Sequence, residues 1–111
     1  MKDLVSYVDF EKLDLRVGKI LVVEVVEWSE KLLRFEVDFG EEIGKRIIFS
    51  GIRRWYKVED FLGKKYVFVV NMEPKKIRDE FSQGMILLID TKSQPYLLNM
   101  IEEVECGAKV R

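Results

Sequence analysis

A chain of 111 residues, 48% apolar and 35% charged, can bury one modest hydrophobic core, and this composition excludes a disordered chain. The formal net charge is −1, and no apolar run is long enough to cross a bilayer, so we expect no membrane partner. The first residues lack the apolar segment of a signal peptide, which predicts a cytoplasmic protein. Charged residues are many while asparagine and glutamine number two each, a balance typical of thermophile proteins.

The content of reactive side chains favours a binding module over an enzyme. Cys106 is the single cysteine and histidine is absent, which excludes an intrachain disulfide, thiolate metal sites and nucleophile pairs that need histidine. The adjacent carboxylates Glu41–Glu42 and Glu102–Glu103 are more typical of solvated surface charge than of acid–base catalysis. We therefore expect no catalytic residues, no cofactor and no metal site.

The first half of the chain predicts two strands. A turn or helix start at Phe10–Leu13 precedes a long strand from about Leu15 to Glu27, and Gly18 inside it permits a bulge where a barrel bends. Trp28–Lys31 forms the next turn. Apolar side chains then alternate with charged ones, which predicts a half-buried second strand containing Leu33, Phe35, Val37 and Phe39.

The second half adds three strands and one helix. The pattern predicts a third strand at Lys45–Ser50 and a short helix at Trp55–Leu62 that ends at Gly63. The fourth and fifth strands are predicted at Lys65–Met72 and Gly84–Asp90. This order is that of an all-β OB-fold, a five-stranded Greek-key barrel that binds oligonucleotides or oligosaccharides. We expect one domain over residues 1–111.

Residues 91–111 exceed what a five-stranded barrel needs. Two parts of this extension, Tyr96–Ile101 and Val104–Val110, are apolar enough to pack against a partner surface. Two interpretations remain open: the extension covers an open barrel end, or it forms a homodimer interface.

Positive charge is concentrated in the middle third of the chain. Residues 45–78 carry ten basic and three acidic side chains, a net charge of +7, whereas residues 1–44 sum to −5 and residues 79–111 to −3. If one face of the barrel holds the middle segment, its local field attracts a polyanion despite the near-neutral total. The alternative is that these cations are spread around the barrel and simply solvated.

Five motifs carry a resemblance to a known family. The stretch Phe10–Ile20 resembles the opening of the tRNA-binding domain family, which includes the C-terminal domain of bacterial methionyl-tRNA synthetase and free-standing relatives. Later motifs of that family are similar, in order and spacing, to Ser29–Leu33, Ser50–Ile52, Asn71–Ile77 and Ser82–Leu87. The resemblance implies an OB-fold homodimer, joined through its terminal segments, that binds tRNA by shape with little sequence preference. It also implies a non-catalytic role, in which the module assists an aminoacyl-tRNA synthetase in trans, with the methionyl enzyme as the favoured partner.

The resemblance also implies a set of RNA contacts. The family motifs place contacts at Lys31, Asn71, Ser82 and Met85, and the basic loop with Lys75, Lys76 and Arg78 lies between them, with Gln83 beside Ser82. Lysine and arginine bind phosphates, whereas serine and glutamine can bond to a phosphate, a 2′-OH or a base edge. A methionine side chain is flexible enough to lie against an exposed base.

Each contact has a structural alternative. Met85 could be a core residue of its strand, Ser82 and Gln83 could bond to backbone, and Lys31 could be a solvated hairpin tip. Trp28 and Trp55 could stack on bases, although core or dimer packing is favoured for both.

Two stretches depart from the tRNA-binding pattern. Asp79–Phe81 stands where the family often has a glycine-containing segment, and its two carboxylates would repel RNA. Asp38–Gly44 resembles a related branch, the bacterial export chaperones, which bind unfolded polypeptide. Three functions therefore remain under consideration: a tRNA-binding module, a chaperone-like dimer, and an assembly domain whose basic stretch holds an acidic protein.

Overall fold

The fold is built around one long strand that pairs with three others. A computed structural model describes residues 1–111. Its elements in chain order are α1 (Tyr7–Phe10), β1 (Leu15–Val25), β2 (Leu33–Asp38), β3 (Lys45–Ser50), a 3₁₀ turn (Val58–Asp60), β4 (Lys65–Val69), β5 (Lys75–Ile77), β6 (Glu80–Ser82), β7 (Met85–Ile86), β8 (Leu88–Asp90), β9 (Pro95–Leu97) and β10 (Lys109–Val110). The main sheet has the order β3-β2-β1-β4-β7, and β10 also pairs with β1. All these pairings are antiparallel.

The barrel closes between β3 and the residues just before β7. Gln83 N donates to the Ile47 carbonyl at 2.8 Å, and Ile47 N donates to Gln83 Oε1 at 3.0 Å. Phe49 N donates to Ser82 Oγ at 2.9 Å. Two side chains thus satisfy backbone donors of the β3 edge where a regular strand ladder is missing. The predicted OB-type barrel is confirmed.

The core confirms the alternation predicted for β2. All four apolar residues of that pattern are almost fully buried, within a cluster of 13 buried side chains. Gly18 of β1 packs beneath this row, since a Cβ built there would lie 2.6 Å from side-chain atoms of Val37 and Phe39. The register shift that bends β1 lies instead between Ile20 and Val22. The glycine therefore makes room for core side chains, and the bulge predicted at Gly18 occurs further along the strand.

The helix between strands three and four is shorter than predicted. Instead of a helix over Trp55–Leu62, one 3₁₀ turn at Val58–Asp60 occupies this position, followed by Gly63 at φ +76°. Phe61 is fully buried and packs against Phe35, with ring centroids 5.0 Å apart. The chain enters the core at Phe61, directly after the single 3₁₀ turn, and this tertiary contact sets its path.

Three further boundaries differ from the sequence prediction. β4 ends at Val69 instead of Met72, and the predicted fifth strand is divided into β7 and β8. The segment expected to be a basic loop forms a two-stranded hairpin of β5 and β6. Short strands separated by irregular residues are usual where a barrel closes and its strands diverge.

The terminal segments attach to the barrel in different ways. β8 and β9 form a hairpin whose Leu88 and Leu97 pack against the core, and Tyr56 Oη donates to the Pro95 carbonyl at 2.8 Å. β10 pairs with Leu15 and Arg16 of β1. At the other terminus, residues 1–13 are exposed and include the short α1 helix. Neither helix is long and apolar enough to span a membrane.

A buried arginine ties the C-terminal strand to the barrel. Arg16 donates to Asp14 Oδ1 at 2.6 Å, to Glu42 Oε1 at 3.2 Å and to the Gly107 carbonyl at 3.1 Å. These bonds raise the pKa of Arg16, and its guanidinium lowers the pKa of the Glu42 carboxyl. The charge is fully matched by partners, as a buried guanidinium requires.

Candidate nucleic-acid interface

The β5–β6 hairpin presents the basic segment in a defined register. Lys75 pairs with Ser82, Lys76 with Phe81, and Ile77 with Glu80. Arg78, at φ +57°, occupies the two-residue turn together with Asp79. Two-residue hairpin turns require a positive φ at their first residue, because only such turns match the right-handed twist of the flanking strands.

The tip of this hairpin meets the loop between β1 and β2. Arg78 Cζ lies 4.1 Å from the ring centroid of Trp28, a cation–π contact. Lys31 belongs to the same β1–β2 loop as Trp28, and Ser29 Oγ accepts hydrogen bonds from Lys31 N and Leu32 N, each at 3.2 Å. The structure therefore brings the predicted contact Lys31 and the predicted contact Arg78 to one end of the barrel.

Arg53 fixes the backbone of the β1–β2 loop. Arg53 N donates to the Lys31 carbonyl at 3.0 Å, and its guanidinium donates to the carbonyls of Val26 and Ser29. The loop consequently has a fixed backbone, while the Lys31 side chain is exposed. Sequence reasoning did not identify this supporting residue.

Glu80, which was expected to repel RNA, is paired. Its carboxylate accepts from Arg34 at 2.7 Å, and Arg34 also donates to Glu24 at 2.8 Å. The Glu80 hydrogen bond raises the pKa of Arg34. Asp79 stays exposed at the turn. One of the two carboxylates beside the basic residues is thus matched by a cation of β2.

Ser82 and Gln83 lie at the base of the hairpin and serve barrel closure. Ser82 is 7% exposed, and its hydroxyl accepts from Phe49 N of β3 and donates to the nearby Gly84 carbonyl at 3.5 Å, while Gln83 Oε1 accepts from Ile47 N of β3. Gln83 is exposed, so its amide nitrogen can reach an external acceptor while its oxygen holds Ile47 N. The hairpin is therefore anchored at its base by the two side chains that the family resemblance assigned to the RNA surface.

Asn71 and Met85 also lie close to the base of the hairpin. Asn71 Oδ1 accepts from Asp14 N at 2.7 Å and its Nδ2 donates to the Lys12 carbonyl at 2.6 Å, so its amide fixes the loop before β1. Met85 pairs with Val69 and is 46% exposed, which makes it a surface residue and not a core residue.

Arg46 adds a cation that the sequence pattern did not single out. Its guanidinium donates to the carbonyls of Val70 and Gln83, at 2.5 Å and 3.2 Å. Together with Asn71 and neighbouring residues it lines an open groove of about 330 Å³ beside the hairpin base. Its place in a β-strand gave no signal, because closure brings residues 46 and 83 together only in three dimensions.

Phe81 is the aromatic residue that sequence reasoning missed. It is 52% exposed on β6, opposite Lys76. The available signal was its position between two polar residues of a short strand, which puts it on the face opposite to that of Glu80 and Ser82.

Comparison with known proteins decides the family. The profile described as "Putative tRNA binding domain" matches residues 15–109. The chain belongs to this family. This tRNA-binding domain is 44% identical over 113 residues to methionine–tRNA ligase of Clostridium acetobutylicum, a match that covers 100% of the chain and 17% of the ligase. The domain thus spans less than a fifth of the ligases it matches.

Two solved structures share nearly the whole fold of the tRNA-binding domain. A MetRS-related protein from Pyrococcus horikoshii superposes with a TM-score of 0.91 and 38% identity, covering 99% of this chain and 100% of that one. The chaperone CsaA from Bacillus anthracis superposes with a TM-score of 0.85 and 30% identity, covering 98% of this chain and 100% of that one. The predicted family is confirmed, and with it the barrel architecture.

Proposed function

We propose that this chain is a tRNA-binding module that recognises folded tRNA by shape, with little sequence preference. The observation that carries the proposal is the meeting of the β1–β2 loop with the basic β5–β6 hairpin at one end of the barrel. OB-folds bind oligonucleotides with the loop between their first two strands and the loop between their last two. In this chain the first of these loops joins β1 to β2 and contains Lys31, and the second joins β4 to β7 and contains Lys75–Arg78.

The charges support a backbone-directed mode of binding. Lys31, Lys75, Lys76 and Arg78 are exposed, and such cations bind phosphates, release counterions and carry no sequence information. Met85 supplies an apolar surface for a base or ribose, and the Gln83 amide can donate to a phosphate or 2′-OH. Asn71 and Ser82 complete the proposed contact set and also hold the loops that carry it.

The proposal extends to assembly and partner. The N-terminal segment exposes apolar side chains, among them Leu4, Val5, Tyr7 and Val8, which supports a homodimer joined through terminal segments. A dimer would present two tRNA surfaces. The similarity to methionine–tRNA ligases supports assistance to the methionyl synthetase in trans, in the cytoplasm, with no reaction of the module's own. The surplus of charged residues over amides favours a source that grows at high temperature.

A titration with folded tRNA at several salt concentrations tests the binding function. We expect folded tRNA to be preferred over single-stranded RNA and duplex DNA, with affinity that falls as salt rises. The variant Lys75→Ala/Lys76→Ala/Arg78→Ala should weaken binding to all tRNAs alike and reduce the salt slope by about 2 to 3.

The matched control removes three exposed lysines from other elements, Lys64, Lys92 and Lys109. This control should bind tRNA nearly as tightly as the wild type. Unchanged affinity in the basic-hairpin variant would contradict the assignment of the surface. Aminoacylation by methionyl-tRNA synthetase with and without the module tests assistance in trans, and an unchanged rate at limiting tRNA would contradict it.

A second candidate function is binding of unfolded polypeptide. The 30% identity to the chaperone CsaA over 98% of the chain favours it. Binding of an unfolded protein with weak salt dependence, in the absence of tRNA binding, would support this candidate over the first.

A further inference from the structure

We propose that Phe81 is a stacking platform for one unpaired nucleobase of the bound RNA. The site would then recognise a loop, bulge or single-stranded end within a folded RNA, in addition to its phosphates. This inference rests on the proposed tRNA-binding function and names the part of the ligand that the hairpin contacts.

The hairpin register turns Phe81 away from the barrel. Residues directly opposite each other in an antiparallel pair share a face, and neighbours along a strand alternate. Ser82 and Glu80 face the barrel, because they bond to Phe49 N and to Arg34. Phe81 must therefore lie on the outer face.

Phe81 is exceptional among the phenylalanines of this chain. It is the most exposed of the seven, at 52%, whereas the rings of the core phenylalanines are almost fully buried. About half of this large ring stays in water in the folded chain, and burial of that half against a ligand would be favourable.

Lys76 gives the outer face the charge that an RNA ligand needs. It is the cross-strand partner of Phe81, and side chains in such pairs lie about 5 Å apart at Cβ. An ammonium group beside an aromatic ring can bind the phosphate of the nucleotide whose base stacks on the ring. The pairing of Glu80 with Arg34 leaves this face without a carboxylate from β6.

The hairpin that carries the ring is also held in place before any ligand binds. Barrel closure fixes its base through Ser82, the Arg34–Glu80 pair fixes it beside the turn, and the Arg78–Trp28 contact fixes its tip. A preorganised platform loses little conformational freedom on binding, which favours affinity.

The ligand chemistry follows from what a phenyl face can contact. Bases inside an A-form helix are stacked on each other, and side chains cannot reach their faces. A base outside a helix offers a free face, and stacking on an aromatic side chain tolerates any base identity. The class of ligand is therefore an unpaired nucleotide next to an RNA helix.

The test compares Phe81→Leu and Phe81→Trp in the full chain. Leucine keeps an apolar side chain opposite Lys76 but removes the aromatic face, whereas tryptophan keeps that face. Dissociation constants would be measured for folded tRNA and for a blunt-ended RNA duplex that has no loop, bulge or overhang. We expect Phe81→Leu to weaken binding to folded tRNA roughly 5- to 100-fold, as one lost base stack predicts, without changing the salt slope.

Two further results are expected if the inference is right. Phe81→Trp should bind folded tRNA at least as tightly as the wild type, and Phe81→Leu should bind the duplex as the wild type does. Lys76→Ala serves as the electrostatic control, since it should lower the salt slope by about 1 for both ligands. Thermal unfolding of Phe81→Leu should match the wild type because the residue is exposed.

Three outcomes would overturn the inference. If the wild type binds tRNA and Phe81→Leu binds it with the same affinity, only the stacking inference is overturned and the proposed function stands. Equal losses on tRNA and duplex would assign the residue to positioning of the hairpin. Loss of affinity for unfolded polypeptide, with tRNA binding unaffected, would assign the ring to a protein-binding surface. Failure of the wild type to bind tRNA at all would instead overturn the proposed function.

Discussion

Replacing Ser82 by alanine removes an acceptor from the barrel closure. The Ser82 hydroxyl is 7% exposed and accepts from Phe49 N at 2.9 Å, so Ser82→Ala leaves a backbone donor of β3 without its partner. An unsatisfied buried donor costs about 1–3 kcal/mol. For a domain of this length 1 kcal/mol shifts the melting temperature by roughly 4 °C. We expect a melting temperature roughly 4 to 12 °C below that of the wild type.

Thermal unfolding followed by circular dichroism measures this shift. Ser93→Ala is the matched control, because Ser93 is exposed and its hydroxyl contacts Thr91 in the β8–β9 turn. The control should change the free energy of unfolding by no more than about 0.5 kcal/mol. Binding of tRNA is then measured well below the melting temperature of both variants, where unfolded protein contributes nothing.

The two measurements separate barrel closure from RNA contact. A melting temperature of Ser82→Ala equal to the wild-type value would refute the reasoning that this hydroxyl closes the barrel. A loss of tRNA affinity in the fully folded variant is expected if Ser82 also contacts RNA. Full retention of affinity would remove Ser82 from the proposed contact set.

Three other predictions concern charge and backbone. Arg34→Gln frees the Glu80 carboxylate and should weaken tRNA binding about two- to fivefold, the effect of one carboxylate about 4 to 10 Å from a phosphate in water. The double variant Arg34→Gln/Glu80→Gln should recover the lost affinity. A gel shift that shows no recovery would contradict the charge argument. The lowered pKa of Glu42 means that its stabilisation is present above its ordinary value of 4.5 and is lost as pH falls through the folded value, so Glu42→Gln should be destabilised at pH 7 and nearly equal to the wild type in strong acid. Denaturant titrations at both pH values check this, and a constant difference would contradict it. Gly107→Ala should unfold at lower denaturant than Gly44→Ala: both glycines have positive φ, with a penalty of about 1–2 kcal/mol for a side chain, but only at Gly107 would the new Cβ overlap a neighbouring carbonyl oxygen.

The parts of the fold set by periodicity could be predicted from the sequence. The alternation from Leu33 to Phe39 determines which face of β2 is buried, and the structure buries that face. The order of three strands, a helix and two strands predicted the barrel. The prediction of a helix at Trp55–Leu62 was wrong in length. The apolar residues of this segment fit a helical period, but the burial of Phe61 against Phe35 decides the path of the chain. Local pattern does not contain that tertiary constraint.

The family resemblance assigned Lys31 and the basic segment to one RNA surface, and their contact with RNA stays a prediction. The structure brings the β1–β2 loop against the tip of the β5–β6 hairpin, which is compatible with that assignment. The roles of Ser82 and Asn71 could not be read from sequence, because short polar side chains bond equally well to backbone or to a ligand. The outward direction of Phe81 depends on a register that the two-residue turn after Ile77 sets, and a one-residue slip would reverse it.

The pairing of β10 with β1 has a consequence for how the protein is made. β1, β2 and β3 are complete once residue 50 has been synthesised, but Leu15 and Arg16 pair with Val110 and Lys109. At roughly 5 to 20 residues per second, the ribosome needs roughly 3 to 12 s to synthesise the intervening chain. During that interval Leu15 and Arg16 lack their β10 partner on the nascent polypeptide, and an open strand edge invites pairing with other chains. β10 is therefore the last of the described strands to join the barrel, and its pairing decides when the backbone of Leu15 and Arg16 is protected.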